Sequence, residues 1–561
     1  MVSVLDLLKR WKGLRWGVST TGLPGTGSST GERSAERYFI WVANALMVGA
    51  AIRVLLVQTS NFPLNDGGLF YAMVRDLQEA HYILPWVTSY NSSGIPFAYP
   101  PLPFYLAGLL DDLTPLTLLD VLRYLPLIAS IATILAFYRL SNLLLSSGIA
   151  AVFAVFAFAL TPRSFSWEIM GGGLTRSLGF LFAVLAVHEI YLLYRSPSRS
   201  RLPAAVAFSC CTVLSHMEMA LFVAYTTVLF FVVHGRNWRG LADSTLLLLS
   251  TASVTSPWWV IVLGCHGFSP FLSATDHATP EGYGFLAMAT MQLTEETLFP
   301  IVGSLALLGA LVCLSERRLL LVGWLALIII VDPRKSATLA TIPMAMMAGI
   351  GLRDLLILLL ARSTAGDSGA ADVAVGTDRW LETYLPTSAL AKCLLVLLLM
   401  YGIVSAFASP LTLYEGLPNE EREAAVWASA NTPSSSEFLV ITGNSWARDS
   451  VSEWFPVLAN RRSLATVQGA EWLPGFSHKI EQYQSLQKCA FTNPECLDQW
   501  ATSANQTFTY VYITKNPRTL LGTPRSPEVD APLLLLEQLK ESEHYQLEYD
   551  GPGAAIFRRL N

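Results

Sequence analysis

Asn65-Asp66-Gly67-Gly68-Leu69-Phe70 follows the first hydrophobic run of the chain and leads, through an amphipathic stretch, to Phe97-Ala98-Tyr99-Pro100-Pro101-Leu102. This segment sets a lone carboxylate, Asp66, where a first membrane span would leave the bilayer. Gly67 and Gly68 beside it let another group come close to the backbone. When the remaining spans are laid out, most unpaired polar residues near span ends fall on the same side as Asp66. Ionisable groups gathered on one face of an apolar bundle point to a site.

Windows of about 20 apolar residues, with shorter ones allowed inside a bundle, mark the spans. Eleven are read, near 38–58, 119–145, 147–162, 175–195, 203–215, 217–235, 240–264, 298–315, 318–331, 337–360 and 388–408. Of the 561 residues, 52% are hydrophobic and 14% charged, against about 25% charged in an ordinary soluble domain. The chain therefore reads as an α-helical polytopic membrane protein. The net charge of −5 carries little information, because the charges are segregated by side. No nucleic-acid partner is expected.

Orientation follows from the arginines. Arg10, Arg15, Arg33 and Arg37, then Arg195, Arg199 and Arg201, then Arg236 and Arg239, then Arg317 and Arg318, then Arg353 and Arg362 share one side of this layout. By the positive-inside rule that side is the cytoplasm. The expected division is a cytoplasmic tail over 1–37, a transmembrane domain over 38–408 with a first outer loop at 59–118, and an extracytoplasmic domain over 409–561. The basic tail does not read as a cleaved signal peptide. The last segment alternates helix-like stretches (419–430, 451–459, 476–490, 532–541) with β-rich runs at 438–442, 463–467, 510–514, 545–549 and 554–558, which predicts a small α/β domain. Of the seven cysteines, Cys489 and Cys496 fall in that domain, where a disulfide can persist.

Asp66, Arg163, Glu168, Arg176, His216, Glu218, Asp332, Arg334 and Lys335 all come out on the extracytoplasmic side. Each one alone is compatible with an interfacial residue reaching for headgroups; their convergence suggests chemistry. Gly171-Gly172-Gly173-Leu174-Thr175-Arg176 leads into a helix start, whose free N–H groups and dipole favour an anion, with Arg176 adding charge. Asp332-Pro333-Arg334-Lys335 puts two cations in a first turn, which a helix dipole disfavours unless an anion sits there too. A lipid-linked phosphate would satisfy both, held by Arg176, Arg334 and Lys335. Asp66, a carboxylate, could then take a proton from an attacking hydroxyl.

An acidic residue after the first span, an amphipathic helix, and Tyr99-Pro100-Pro101-Leu102 together resemble the GT-C glycosyltransferases, most of all the protein mannosyltransferase and lipid A aminoarabinose transferase branch. The resemblance implies an extracytoplasmic active site, a polyprenyl-phosphate-linked sugar donor (dolichyl phosphate in some members), a lipid, glycan or protein acceptor, and inversion at the anomeric carbon. It implies that Asp66 is the catalytic acidic residue and that Glu168 matches the acidic position of the second outer loop. In metal-dependent members that position helps hold a divalent ion, so Asp66 and Glu168 could bind Mg or Mn. Tyr99 stands where aminoarabinose transferases carry lysine. Glu453-Trp454-Phe455-Pro456, before Asn460-Arg461-Arg462, resembles more loosely the Trp-Trp-Asp-Tyr-Gly region of oligosaccharyltransferase, without its acceptor-binding aspartate.

Tyr99, Glu168, His216 and Glu218 are the expected substrate contacts. His216 and Glu218 are offset by two residues, which puts them on different faces of a helix and disfavours a shared metal. Two other function classes fit parts of the pattern. Broken short spans with buried charges suit a lipid or solute transporter, though no internal repeat is visible. A sensor or scaffold would carry its function in the last domain. Asn91-Ser92-Ser93 and Asn505-Gln506-Thr507 are sequons.

Overall fold

The computed structural model describes residues 29–196, 198–274, 292–332, 336–364, 378–515 and 531–560. Among them, a helix stands at each of the eleven places where a span is read. These are α1 Ser29–Val57, α4 Leu118–Leu144, α5 Gly148–Leu160, α6 Gly173–Arg195, α7 Leu202–Val213, α8 Met217–His234, α9 Trp238–His266, α10 Ile301–Ser315, α11 Leu319–Val331, α12 Ser336–Thr364 and α13 Ala389–Leu411. Two more, α2 Gly68–Glu79 and α3 Leu102–Leu113, lie in the loop between α1 and α4. Seven of the helices are long and apolar enough to cross a membrane, and α5, α10 and α11 are shorter apolar helices.

Local chemistry sets many of the ends. Thr117 and Asp120 form a reciprocal capping box at α4, while Ser147, Asn237 and Ser388 cap α5, α9 and α13 through their side chains. The short α5 is buried on most of its surface and packs against α1, α4 and α12. Gly349 of α12 allows this: a Cβ there would lie 2.3 Å from the carbonyl oxygen of Ala150. Small residues let backbones meet where lipid supplies no hydrophobic drive between helices.

Beyond α13 the chain forms a mixed sheet flanked by helices. In order come α14 Asn419–Asn431, β1 Glu437–Ile441, α15 Ser450–Ala459, β2 Arg462–Ser463, α16 Phe476–Lys488, α17 Glu495–Ser503, β3 Tyr510–Thr514, α18 Ala531–Glu541, β4 Tyr545–Asp550 and β5 Ala554–Arg559. The strand order is β2-β1-β3-β5-β4, with β1 parallel to β2 and β3, and β5 antiparallel to β3 and β4. The α/β reading of the sequence holds, with two differences. α17 carries no sequence expectation. The run expected over 463–467 pairs only at Arg462 and Ser463, and the loop after α1 covers its outer edge, because the Asn91 carboxamide exchanges hydrogen bonds of 2.8 and 2.7 Å with the carbonyl and N–H of Ser463. The first of the two sequon asparagines is thus a buried structural residue.

Side chains alternate across the sheet. Leu439, Ile441, Val511, Ile513 and Phe557 pack under α16, α17 and α18, where Cys489 and Cys496 are joined by a disulfide. Phe438, Val440, Tyr510, Tyr512 and Ile556 face the other way, into one core shared with Phe62, Phe70, Tyr90, Phe97 and Phe104 of the loop after α1. The C-terminal domain and that loop therefore form a single packed unit on one end of the bundle. Asn65 fastens it further: its carboxamide bonds the carbonyl of Leu413 and the N–H of Glu415 at 2.9 Å each.

Candidate active site

Asp66 lies where three chain segments meet. Its Oδ1 accepts the N–H of Gly172 at 2.7 Å, and its Oδ2 pairs with Arg176 Nη2 at 3.0 Å. Gly172 is the residue before α6, so the anion attracted to that helix start is the carboxylate of Asp66 itself. The triple glycine is a packing requirement. A Cβ on Gly171 would stand 2.0 Å from the Asp66 carbonyl oxygen, one on Gly172 2.4 Å from Asp66 Oδ2, and one on Gly173 2.0 Å from the Glu168 carbonyl oxygen. Gly67 takes φ +125°, a region open to glycine and strained for other residues.

Arg176 is the electrostatic centre of the cluster. Besides Asp66, its guanidinium bonds the Trp167 carbonyl at 3.2 Å and lies in the field of Glu168 and Tyr99. Tyr99 gives its hydroxyl to Glu471 of the C-terminal domain and packs edge-on against Trp472, with ring centroids 4.7 Å apart. Burial, and then the Glu471 charge, push this phenol well above its ordinary range. Pro100-Pro101-Leu102 opens α3, and the Leu102 N–H donates to the Leu214 carbonyl at 2.9 Å. That bond ties the loop to the turn before α8.

Glu168 is 2% exposed, and its Oε2 makes no hydrogen bond. Burial raises its pKa to about 7, against the opposing pull of Arg176 and Arg163. Arg163 in turn pairs with Glu295 at 2.6 Å and donates to Thr338 at 3.0 Å. Because the folded protein holds the Glu168 proton more tightly than the unfolded chain, this group's contribution to stability is full below about pH 4.5 and is lost as the pH rises through about 7. Its upper size is about 3 kcal/mol. Glu168→Gln should therefore gain melting temperature relative to wild type on going from about pH 5 to about pH 8. Thermal unfolding in detergent at the two values tests this, and an equal difference at both would refute it.

The other expected residues are distributed as follows. His216 precedes α8 and packs on α6 at Gly179, one turn on from Arg176, where a Cβ would lie 2.6 Å from the histidine Cβ. Glu218 sits in the first turn of α8, where the helix dipole favours an acid. Arg334 and Lys335 fall outside the described residues, between the end of α11 and the start of α12. Sequence reasoning gave no site role to Glu453, the residue before Trp454 in α15. Its Oε1 accepts the Gly67 N–H at 2.7 Å. It also passes over Arg53, buried inside α1, which bonds Ser130 and the carbonyls of Gly49 and Ala159 and lies 4.1 Å from the centre of the Phe165 ring. An arginine within an apolar span was the available signal for it.

The residues do not compose a metal cage. Both Asp66 oxygens are already engaged, one of them by a guanidinium that supplies positive charge where Asp66 and Glu168 would share an ion. Among the described residues, no group of three His, Cys, Asp or Glu side chains could hold a metal ion.

No family model and no curated protein matches the chain, whereas solved structures do. The archaeal oligosaccharyltransferase AglB of Archaeoglobus fulgidus, in complex with an inhibitory peptide and a dolichol-phosphate, superposes with a TM-score of 0.54 at 14% identity, covering 92% of this chain and 80% of that one. An Archaeoglobus fulgidus oligosaccharyltransferase in complex with Zn and sulfate superposes with a TM-score of 0.53 at 14% identity, covering 84% of this chain and 68% of that one. ArnT of Cupriavidus metallidurans bound to undecaprenyl phosphate gives 0.52 at 12% identity, over 95% of this chain and 98% of that one. The mycobacterial arabinofuranosyltransferase AftD gives 0.53 at 14% identity, over 92% of this chain and 41% of that one. The neighbours are GT-C glycosyltransferases, so the chain has the GT-C fold: an integral membrane protein with a C-terminal α/β domain.

Proposed function

We propose that the protein is an inverting glycosyltransferase that moves a sugar from a polyprenyl-phosphate carrier to an acceptor hydroxyl or amide at the membrane surface. One observation carries the reading. Asp66 is held by a helix N-terminus and by Arg176 in a loop that ends the first span, with glycines clearing the space around it. A carboxylate so fixed suits a general base, provided that its acceptor comes within hydrogen-bond reach.

Asp66 takes the acceptor proton while the sugar carbon passes through an oxocarbenium-like state. The departing phosphate needs cations that are in position beforehand. Arg176 uses Nη2 and Nε within the protein and presents Nη1 to a phosphate oxygen; Arg334 and Lys335 complete the phosphate set. Tyr99 and Glu168 line the sugar and acceptor, with His216 and Glu218 at the margin. The site faces away from the cytoplasm, with the N-terminus inside and the domain over 409–561 outside, an orientation that the arginine distribution supports.

The test is transfer of labelled sugar from a panel of polyprenyl-phosphate donors by purified protein in detergent, with and without EDTA. Expected is release of polyprenyl phosphate that EDTA does not diminish, since the cation beside Asp66 belongs to the protein. Loss of transfer in EDTA, restored by Mg or Mn, would refute the metal-free site. No release with any donor would move a transport or scaffold role ahead.

A further inference from the structure

We infer that Glu453, contributed by the C-terminal domain, is a positioning residue for Asp66, so that the catalytic centre is complete only when that domain is docked. The inference rests on the reading of Asp66 as the base. Its own ground is how the loop after α1 grips the start of α15.

Three contacts converge on Glu453, each from a different residue of that loop. The Gly67 N–H, next to the base in sequence, donates to Oε1 at 2.7 Å. The Tyr90 hydroxyl donates to the Glu453 carbonyl at 2.6 Å. Gly68 approaches the same carbonyl so closely that a Cβ there would lie 2.7 Å from it. The next residue, Trp454, closes the contact: its ring lies 4.6 Å from that of Phe62, centre to centre, and 3.2 Å from where a Gly67 Cβ would stand. Glu453 itself is 4% exposed, and its place in the first turn of α15 is set by Asp449, whose side chain caps that helix by accepting the Ser452 N–H at 2.9 Å. Asp66 is thus steadied from two sides, through its own oxygens by Gly172 and Arg176 and through the following peptide by Glu453.

The groups facing Glu453 explain why it is an acid that works best uncharged. Asp66 of the loop and Glu471 of the C-terminal domain both set negative charge toward it. Burial first, and then Asp66, raise its pKa well above the ordinary carboxyl range, while the N–H groups of Gly67 and Leu69 pull the other way. A neutral carboxyl keeps the acceptor oxygen that Gly67 needs without adding a second charge beside the base. Glutamine reproduces that chemistry; alanine and aspartate do not.

The experiment compares Glu453→Gln, Glu453→Ala and Glu453→Asp in detergent, by donor-saturated kinetics and by hydrogen–deuterium exchange of the peptide carrying 65–70. In Glu453→Ala, kcat should fall on the order of 100-fold, the cost of a base displaced by about 1 Å, with the donor KM near its wild-type value. Exchange at the amides of Gly67 and its neighbours should quicken roughly tenfold. Glu453→Gln should recover most of both losses and Glu453→Asp little of either. A purely structural role would instead lower the melting temperature and the active fraction of all three together. Wild-type exchange and wild-type kcat in Glu453→Ala overturn the inference. Should the wild-type protein transfer no sugar at all, the glycosyltransferase reading fails on that ground alone. The exchange data still decide the clamp, which unchanged protection in Glu453→Ala would refute.

Discussion

Replacing Asp66 by asparagine should abolish transfer, with kcat lower by about 10²–10⁴-fold, the range attributed to a positioned general base. The substitution is close to isosteric. The amide oxygen can still accept the Gly172 N–H that now reaches Oδ1 at 2.7 Å. What it cannot do is take a proton, and its NH2 would face the guanidinium that now pairs with Oδ2 at 3.0 Å. Folding should change little, because the core around the loop is built from Phe62, Phe70, Phe97 and Trp454, none of which is altered. The checks are release of polyprenyl phosphate from the donor, the donor affinity, and thermal unfolding in detergent. An Asp66→Asn protein that turns over at the wild-type rate removes Asp66 from the mechanism.

The second large effect is expected at Gly172. A methyl group there would stand 2.4 Å from Asp66 Oδ2 and 2.9 Å from Oδ1, so Gly172→Ala must turn the carboxylate away from both the helix N-terminus and Arg176. A drop in kcat on the order of 100-fold follows if the base moves by about 1 Å, with a stability cost of about 1–3 kcal/mol for overpacking. Gly171→Ala is harsher, because its methyl would meet backbone, the Asp66 carbonyl oxygen at 2.0 Å, and backbone cannot rotate aside. Gly264→Ala, in a helix and with nothing within 4 Å, is the control that should leave both activity and melting temperature intact. Kinetics and unfolding of the three variants decide the matter, and a fully active Gly172→Ala would show that the tight fit is not what holds the base.

What the sequence disclosed follows from the range over which each signal acts. Spans declare themselves through local hydropathy: helices stand at all eleven places, and the seven long enough to cross a membrane are those where some twenty apolar residues leave the backbone few other ways to satisfy its hydrogen bonds in lipid. Asp66 and the glycine run were legible as unusual residues in unusual positions. Their relation was not, since the contact joins residues 106 positions apart, and the run read as a loop awaiting a foreign anion when it receives one from the same chain. Glu453 was harder still. It lies 386 positions from Gly67, in a helix-like stretch whose loose resemblance to an oligosaccharyltransferase region assigns Glu453 itself no role. Short β2 was overextended because 463–467 has strand composition, whereas pairing depends on a partner that local sequence does not identify.

The Asn91–Ser463 pairing has a consequence in the time of synthesis. The two residues are 372 positions apart, so at about 5–20 residues per second the asparagine waits roughly 20–75 s before its partner is made. With the loop after α1 on the extracytoplasmic side, as proposed above, Asn91-Ser92-Ser93 would be an open acceptor in that interval for any host that modifies sequons co-translationally. A glycan attached then would occupy the nitrogen that later bonds the Ser463 carbonyl. Choice of expression host therefore bears on whether this chain can close at all: a cell without that modification makes one product, and a cell with it sets modification and folding in competition for the same side chain.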